Sequence, residues 1–129
     1  MKMEYSIKKQ LNVSYEEAIE KVKVALKEEG FGVLTEIDVK ATLKKKMDID
    51  FDKYLILGAC NPSFAYQALQ SEYEIGLFLP CNIIIYEIKG KTYISAIDPV
   101  ITMKFVDNPK LGSIAKEVKT KLISVIHNV

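Results

Sequence analysis

The sequence predicts an α+β fold: a single two-layer sandwich in which helices pack on one mostly antiparallel sheet. Strand-like segments alternate with segments whose apolar residues recur at helical spacing. Two neighbouring strand-like segments are separated only by Lys89 and Gly90, which favours an antiparallel hairpin. The 129 residues are enough to bury a core as one domain over residues 1–129. The predicted order is β-α-β-α-β-α-β-β-α.

The first half of the chain carries four predicted elements. Residues 3–11 alternate polar and apolar side chains and predict a strand with one solvent-exposed face. Ser14 is placed to cap a helix that ends at Gly30, and residues 31–37 predict the second strand. Asp38 can then cap a short helix in which lysines surround a narrow apolar stripe.

The second half continues this alternation and ends in the clearest helix. Asn61 followed by Pro62 is typical of a helix start, because asparagine can cap and proline fits the first turn. Residues 74–79 are predicted as a connector, and residues 100–107 show no clear pattern. The other predicted features are a strand over 54–59, an interior strand over 81–88, its hairpin partner over 91–97, a strand end at Asp98 and Pro99, and a helix carrying apolar residues from Leu111 to Ile126.

The composition argues against several classes of function. Hydrophobic residues make up 49% of the chain and charged residues 27%, which is typical of a folded domain. The net charge is +1 and all 18 basic residues are lysine, so the chain lacks the arginine forks that clamp phosphate and guanine. We therefore expect no nucleic-acid partner. The sequence has neither a membrane-length apolar run nor a signal-peptide pattern, and it predicts a cytoplasmic protein without a membrane partner.

Several motifs occur in a fixed order along the chain. They are GFGV at 30–33, EIDVKATL at 36–43, YLILGACNP at 54–62 and IGLFLPCNI at 75–83, followed by Asp98 with Pro99, by Met103 and by the last helix. Over nearly its whole length the chain resembles the domain of unknown function 302 family. The resemblance implies a small α+β domain that self-associates. It implies no activity, because the family is named for lacking one.

Two cysteine–asparagine pairs are the strongest candidates for a site. Cys60 and Asn61 stand where a strand is predicted to pass into a helix, and Cys81 and Asn82 where another strand begins. Strand ends beside helix N-termini form pockets, so we expect both pairs at one end of the sheet beside a concave, partly polar surface. The helix N-terminus is expected to lower the pKa of the Cys60 thiol, unless Cys60 is a buried core cysteine.

The remaining polar candidates have structural alternatives. Cys81 and Asn82 are neighbours in a strand, so their side chains face opposite ways. An asparagine at the start of an inner strand is costly if its amide is unsatisfied, so Asn82 either holds a turn or binds a ligand. Asp38 either caps the short helix or faces the same cleft. Two thiols without a C-x-x-C motif are an incomplete zinc set, and the single histidine, His127, is a poor candidate for a metal or catalytic residue. The sequence therefore predicts no metal site and no cofactor, although a dithiol switch or a soft-metal site becomes possible if Cys60 and Cys81 converge.

The leading hypothesis is a homodimer that binds a small-molecule ligand in a pocket near Cys60, Asn61, Cys81 and Asn82. Two alternatives from other classes stay open: a thiol-dependent redox or sulfur-transfer protein with Cys60 as nucleophile, and a purely structural interaction module. Whether the protein is an enzyme is also open. Dimerisation is expected because one sheet covered on one face leaves apolar residues exposed. Those residues include Phe78, Leu79, Val100, Ile101 and Phe105.

Overall fold

The computed structural model describes residues 4–129, which contain one five-stranded sheet. The strands are β1 (Ser6–Leu11), β2 (Gly32–Asp38), β3 (Tyr54–Cys60), β4 (Cys81–Ile88) and β5 (Lys91–Ile97). Their spatial order is β1-β5-β4-β3-β2, and all four neighbouring pairs are antiparallel. The strand β4, predicted to be interior because it is apolar on both faces, is the central strand. The predicted α+β fold class is therefore confirmed.

Helices connect the strands of this sheet. In residues 4–129 they are α1 (Tyr15–Glu28), α2 (Val39–Met47), α3 (Pro62–Ser71), a 3₁₀ helix (Tyr73–Phe78), α4 (Pro99–Met103) and α5 (Pro109–His127). The predicted order is confirmed with two additions. The 3₁₀ helix replaces a predicted connector, and α4 lies in a region without a clear pattern. None of these described helices is long and apolar enough to cross a membrane.

Most element boundaries agree with the sequence-based expectations. The first strand, predicted for residues 3–11, begins at Ser6 in the structure, and residue 3 lies outside the described residues. The strands β2 and β3 each extend one residue beyond the predicted end, to Asp38 and Cys60. These small extensions are of the size expected when a strand end is set by pairing with a neighbour rather than by its own sequence.

Side chains at the helix starts explain where several helices begin. The Ser14 hydroxyl accepts a hydrogen bond from the backbone N–H three residues on, at 3.1 Å. The Asp38 carboxylate does the same for α2, at 3.0 Å. Asp98 and Asn108 cap α4 and α5 through the N–H two residues on. Each cap satisfies a backbone donor that the first helical turn leaves without a partner.

The predicted hairpin joins the central strand β4 to its neighbour β5. Lys89 and Gly90 form its two-residue turn, with φ angles of 52° and 76°. Positive φ at both positions matches the turn whose twist suits antiparallel strands, and glycine adopts it without a steric cost. Ile88 then pairs with Lys91, which fixes the register of the whole hairpin.

The two faces of the sheet differ in what covers them. On one side, here called the covered face, Ile83 and Ile85 of β4 are fully buried. They belong to one core together with buried residues of α1 and α5. The intervening Ile84 and Tyr86 point the other way, onto what is here called the open face, and are only half-buried. Helices therefore seal one face and leave the other partly exposed.

The open face carries a row of tyrosines across three neighbouring strands. The rings of Tyr54 and Tyr86 stack with centroids 5.5 Å apart, and those of Tyr86 and Tyr93 with centroids 5.2 Å apart. The Lys8 ammonium lies 5.6 Å from the Tyr86 centroid and 5.0 Å from that of Tyr93. Cross-strand aromatic stacking and cation–π attraction thus order this face.

Candidate functional site

The register of the two inner strands places both cysteines at the same end of the sheet. Ala59 of β3 pairs with Cys81 of β4, and Cys60 is the next residue along. Because β3 ends where β4 begins, the strand-to-helix junction and the strand entrance lie side by side. This is the arrangement that the strand assignments predict for the two cysteines. Both thiols are free.

A small cavity lies beside these cysteines. Its volume is about 50 Å³, and Cys60, Asn61 and Cys81 all line it. The remaining lining comes from the end of β3, from the segment before β4 and from three helices that close over it. Those residues are Ala59, Phe64, Ala65, Ala68, Leu79, Pro80, Pro99, Met103, Leu111, Ile114, Ala115 and Val118. A cavity needs about 10–15 Å³ of such volume to hold one water, so this one suits a ligand of only a few heavy atoms.

The polar character of the cavity is lower than the sequence predicts. A partly polar surface was expected, yet Asn61 is the one lining residue with a nitrogen or oxygen side-chain group among the residues described. The Asn61 amide nitrogen donates a hydrogen bond to the Glu29 carbonyl, at 3.4 Å. The site is therefore an apolar cavity with sulfur groups in its wall.

The predicted capping role of the Asn61 side chain is wrong. Asn61 occupies the N-cap position of α3, and Pro62 begins the helix as expected, but the side chain makes no capping hydrogen bond in the described structure. It reaches instead to Glu29, the residue that follows α1. The reason is tertiary: the end of α1 lies next to the start of α3, and its last carbonyls need donors. Asn61 thus connects the two helix ends.

The sequence left two interpretations of Cys60 open, a thiol with a lowered pKa and a buried core cysteine, and the direction of the pKa shift favours burial. Burial raises the pKa of Cys60 above its ordinary value, although the residue stands just before a helix N-terminus. Burial, and then the neighbouring Cys60, raise the pKa of Cys81 from 9.0 to about 11. Burial in an apolar environment disfavours the charged thiolate over the neutral thiol. The two shifts therefore favour the neutral thiol at both positions.

The other two predicted site residues lie away from the cavity. Asn82 is exposed and, as the residue next to Cys81 in β4, belongs to the open face. Asp38 pairs with Leu55 at the far end of the β2–β3 ladder, whereas Gly32 pairs with Cys60 at the near end. Asp38 caps α2 rather than facing the same cleft as the cysteines. The structure brings together Cys60, Asn61 and Cys81 only.

Sequence reasoning missed the part of the cavity wall that α4 and α5 supply. Met103 lies at the end of α4, in the region without a clear pattern, so nothing nearby in the sequence indicated where its thioether would lie. The signal for α5 was present, because its apolar stripe was predicted. What could not be seen is that the first part of that stripe, from Leu111 to Val118, lines the cavity, whereas Leu122, Val125 and Ile126 belong to the main core alone.

One ion pair holds α4 against α5 beside the cavity. The Lys119 ammonium lies 2.8 Å from a carboxylate oxygen of Asp98, and the side chain of Asp98 is 10% exposed. The other Asp98 oxygen accepts a hydrogen bond from the Val100 N–H, at 2.9 Å. A carboxylate that is this buried needs such partners, because an unpaired one would lose its hydration without compensation. Asp98 therefore positions the helices that form one wall.

Comparisons with known proteins agree with this description. The family model described as domain of unknown function DUF302 matches residues 7–129. The chain is similar to a solved structure, an uncharacterized conserved protein DUF302 from Bacillus stearothermophilus, with 30% sequence identity and a TM-score of 0.90. That match covers 96% of this chain and 97% of the other. No curated protein matches the chain. With the family model covering nearly all of its length, the chain belongs to the DUF302 family.

Proposed function

We propose that this chain is a cytoplasmic single-domain protein that forms a homodimer and binds a small molecule in the cavity beside Cys60, Asn61 and Cys81. The observation that carries the proposal is the convergence of Cys60, Asn61 and Cys81 on one cavity at one end of the sheet. Cavities lined mainly by apolar groups, with a few polar ones, are the usual form of a small-molecule site.

The size and lining of the cavity narrow the kind of molecule. A volume of about 50 Å³ is far below the roughly 300–1,000 Å³ of sites for drug-sized ligands. Nucleotides and sugars are therefore too large and too polar. The ligand is a compact, apolar molecule, and Phe64, Leu111 and Ile114 provide the surface that it contacts.

The thiol-dependent redox or sulfur-transfer alternative receives less support. A nucleophilic cysteine requires a thiolate at neutral pH, and burial raises the pKa of both Cys60 and Cys81. Because both thiols are free, alkylation can test the redox or sulfur-transfer alternative. Binding without chemistry needs no thiolate, and it is the function that this geometry favours.

Xenon is a suitable probe of the cavity because it enters small apolar cavities in proteins. We expect saturable xenon-induced shifts of the methyl resonances of Ala65, Leu111 and Ile114. The variant Ala65→Leu, which fills the cavity, should abolish them. Ala41→Leu, on α2 and away from the cavity, is the matched control and should leave them unchanged. Shifts that are linear in xenon pressure, or that survive Ala65→Leu, would refute a ligand cavity.

Homodimerisation is supported by exposed apolar side chains on two segments that border the cavity. Tyr73 is 89% exposed, Leu77 81% and Phe105 76%. They lie on segments that share a second small core built around Ile75 and Leu111. Of the residues expected to mediate association, Phe78 and Phe105 are exposed, while the others are half-buried. The half-buried ones are Leu79, Val100 and Ile101.

Light scattering at high micromolar concentration tests the dimer. We expect twice the chain mass of 14.6 kDa. Leu77→Asp and Phe105→Asp should shift the mass toward the monomer, because they place a charge in an apolar interface. Val24→Asp, a change at a residue of α1 that is 59% exposed, is the control and should remain dimeric. A monomer mass for the unmodified chain would remove this part of the proposal.

A further inference from the structure

Three sulfur-containing side chains line the same cavity. Cys60 comes from the end of β3, Cys81 from the start of β4 and Met103 from the end of α4. The first and the last of them, Cys60 and Met103, are 43 positions apart in the sequence, and only the fold places all three in the wall of one cavity. In the sequence alone, the two thiols are an incomplete zinc set, and a soft-metal site depends on whether they converge. The thioether of Met103 adds a third possible sulfur ligand, which no sequence motif predicts.

The other lining residues cannot supply a different kind of ligand from their side chains. Within residues 4–129, the cavity wall contains no carboxylate, imidazole or ammonium group, and the Asn61 amide is engaged with Glu29. No group of three or more His, Cys, Asp or Glu residues suited to a metal occurs in the part of the chain that is described. Hard cations such as Ca²⁺ and Mg²⁺ need oxygen ligands, and structural zinc needs four nitrogen or sulfur ligands.

We propose that the cavity binds a soft monovalent metal ion, Cu(I), through the Sγ atoms of Cys60 and Cys81 and the Sδ atom of Met103. Thiolate and thioether ligands select Cu(I) over the harder ions. The inference rests on the ligand cavity of the proposed function, and it names a class of ligand that the cavity takes in addition to a small apolar molecule.

Binding is a proton-for-metal exchange without a change of oxidation state. Two thiols lose their protons to solvent, two Cu–S bonds to thiolates form, and the thioether adds a neutral third bond. The product carries one net negative charge. The positive end of α3, whose first residue follows Cys60 by two positions, offsets part of that charge. A coordinated thiol is deprotonated by the metal itself, so the raised pKa values of the free thiols do not prevent the exchange.

Anaerobic titration with Cu(I) in competition with the chelator bicinchoninate tests this inference. We expect one Cu(I) per chain and an X-ray absorption spectrum with sulfur ligands only. Changes to groups that merely support a metal ligand cost about 10- to 100-fold in affinity, so Cys60→Ala and Cys81→Ala should each cost about a hundredfold or more. Met103→Leu, which keeps the apolar volume, should cost about tenfold. Met47→Leu, at a methionine of α2 that is 62% exposed, is the matched control and should cost nothing.

The outcomes separate this inference from the proposed function. Weak or fractional Cu(I) binding, nitrogen or oxygen ligands in the spectrum, or equal losses in Met103→Leu and Met47→Leu would overturn it. So would formation of a Cys60–Cys81 disulfide with no metal retained. If xenon enters the metal-free cavity while Cu(I) is not held, the ligand cavity stands and the metal inference fails. If Cu(I) binds and xenon does not enter, the proposal that the cavity binds a small apolar molecule fails.

Discussion

The two faces of the central strand β4 have similar residues and different surroundings. Ile83 and Ile85 lie on the covered face and are fully buried against α1 and α5. Ile84, between them, lies on the open face and is half-buried. The same side chain in the same strand therefore contributes to a core in one case and to a partly solvated surface in the other. Hydrophobicity alone did not decide the difference; the helices did.

The faces also differ in how their side chains are held. The covered face is aliphatic and is fixed by packing, except at the cysteine end, where about 50 Å³ is left unfilled. The open face is fixed by the stacked row of Tyr54, Tyr86 and Tyr93 and by the cation of Lys8. Unfilled space is costly in a core, so the covered face depends on close packing by helices, whereas the aromatic order of the open face needs no helix.

The largest expected effect is a loss of stability that distinguishes a residue of the covered face from its neighbour on the open face. Ile83→Ala should lower the free energy of unfolding by about 2–5 kcal/mol, because it leaves a cavity among fully buried neighbours. Ile84→Ala, the matched change on the open face, should cost about 1 kcal/mol, since its environment is already partly solvated. Urea unfolding curves of both variants measure the difference. Equal losses would mean that the open face is buried in solution, for example by a second copy of the chain.

The next effect concerns the cysteine end of the covered face. With its pKa raised from 9.0 to about 11, Cys81 holds about a hundredfold less thiolate at pH 8 than an ordinary cysteine. A raised thiol pKa means that reactivity is low below this value and increases as the pH rises toward about 11. Alkylation by iodoacetamide in Cys60→Ser reports on Cys81, and Cys81→Ser reports on Cys60.

The same variants unfolded in urea provide the control, because both thiols should then react as free cysteines. In the folded protein, Cys60 should also react more slowly than a free cysteine, with burial as the cause. A Cys60 thiolate that forms below about pH 8.5 would contradict this and would favour the redox or sulfur-transfer alternative.

A third prediction tests close packing on the open face. A Cβ at Gly58 would lie 2.8 Å from the Pro80 side chain and would collide with the Thr35 hydroxyl. Gly58→Ala should therefore destabilise the protein by about 1–3 kcal/mol through overpacking. Gly112→Ala in α5, where a Cβ meets open space, should instead stabilise it by about 0.5–1 kcal/mol. Thermal unfolding of both variants gives the sign, and a neutral Gly58→Ala would show that this part of the face is loosely packed.

The smallest effect belongs to the cation on the tyrosine row. Lys8→Met removes the charge but keeps an unbranched side chain over Tyr86 and Tyr93, so the loss should be about 0.5–1 kcal/mol. Lys45→Met, at an exposed lysine of α2, should change stability by less. Denaturation midpoints of the two variants give the comparison. A larger loss for Lys45→Met would show that the cation–π contacts contribute little.

The sequence by itself determined most of the secondary structure. Alternation predicts β1, an apolar run predicts β4, and helical periodicity predicts α5. The caps Ser14 and Asp38 act on backbone groups three residues away. These signals are local, so they can be read without knowing the fold. The strand-to-helix junction at Cys60 and the strand entrance at Cys81 were visible for the same reason.

Only the tertiary structure decided which groups those side chains contact. Asn61 bonds to Glu29, 32 positions away, rather than to its own helix, and Met103 joins the two cysteines from a segment without a clear pattern. The helix N-terminus beside Cys60 is a local feature that the sequence shows, whereas the burial that raises the pKa of Cys60 comes from several elements at once. Asn82 lies outside the cavity because a strand turns successive side chains to opposite faces, and only packing decides which face is covered. Periodicity is a property of neighbours in the chain; burial and ligand geometry are properties of neighbours in space.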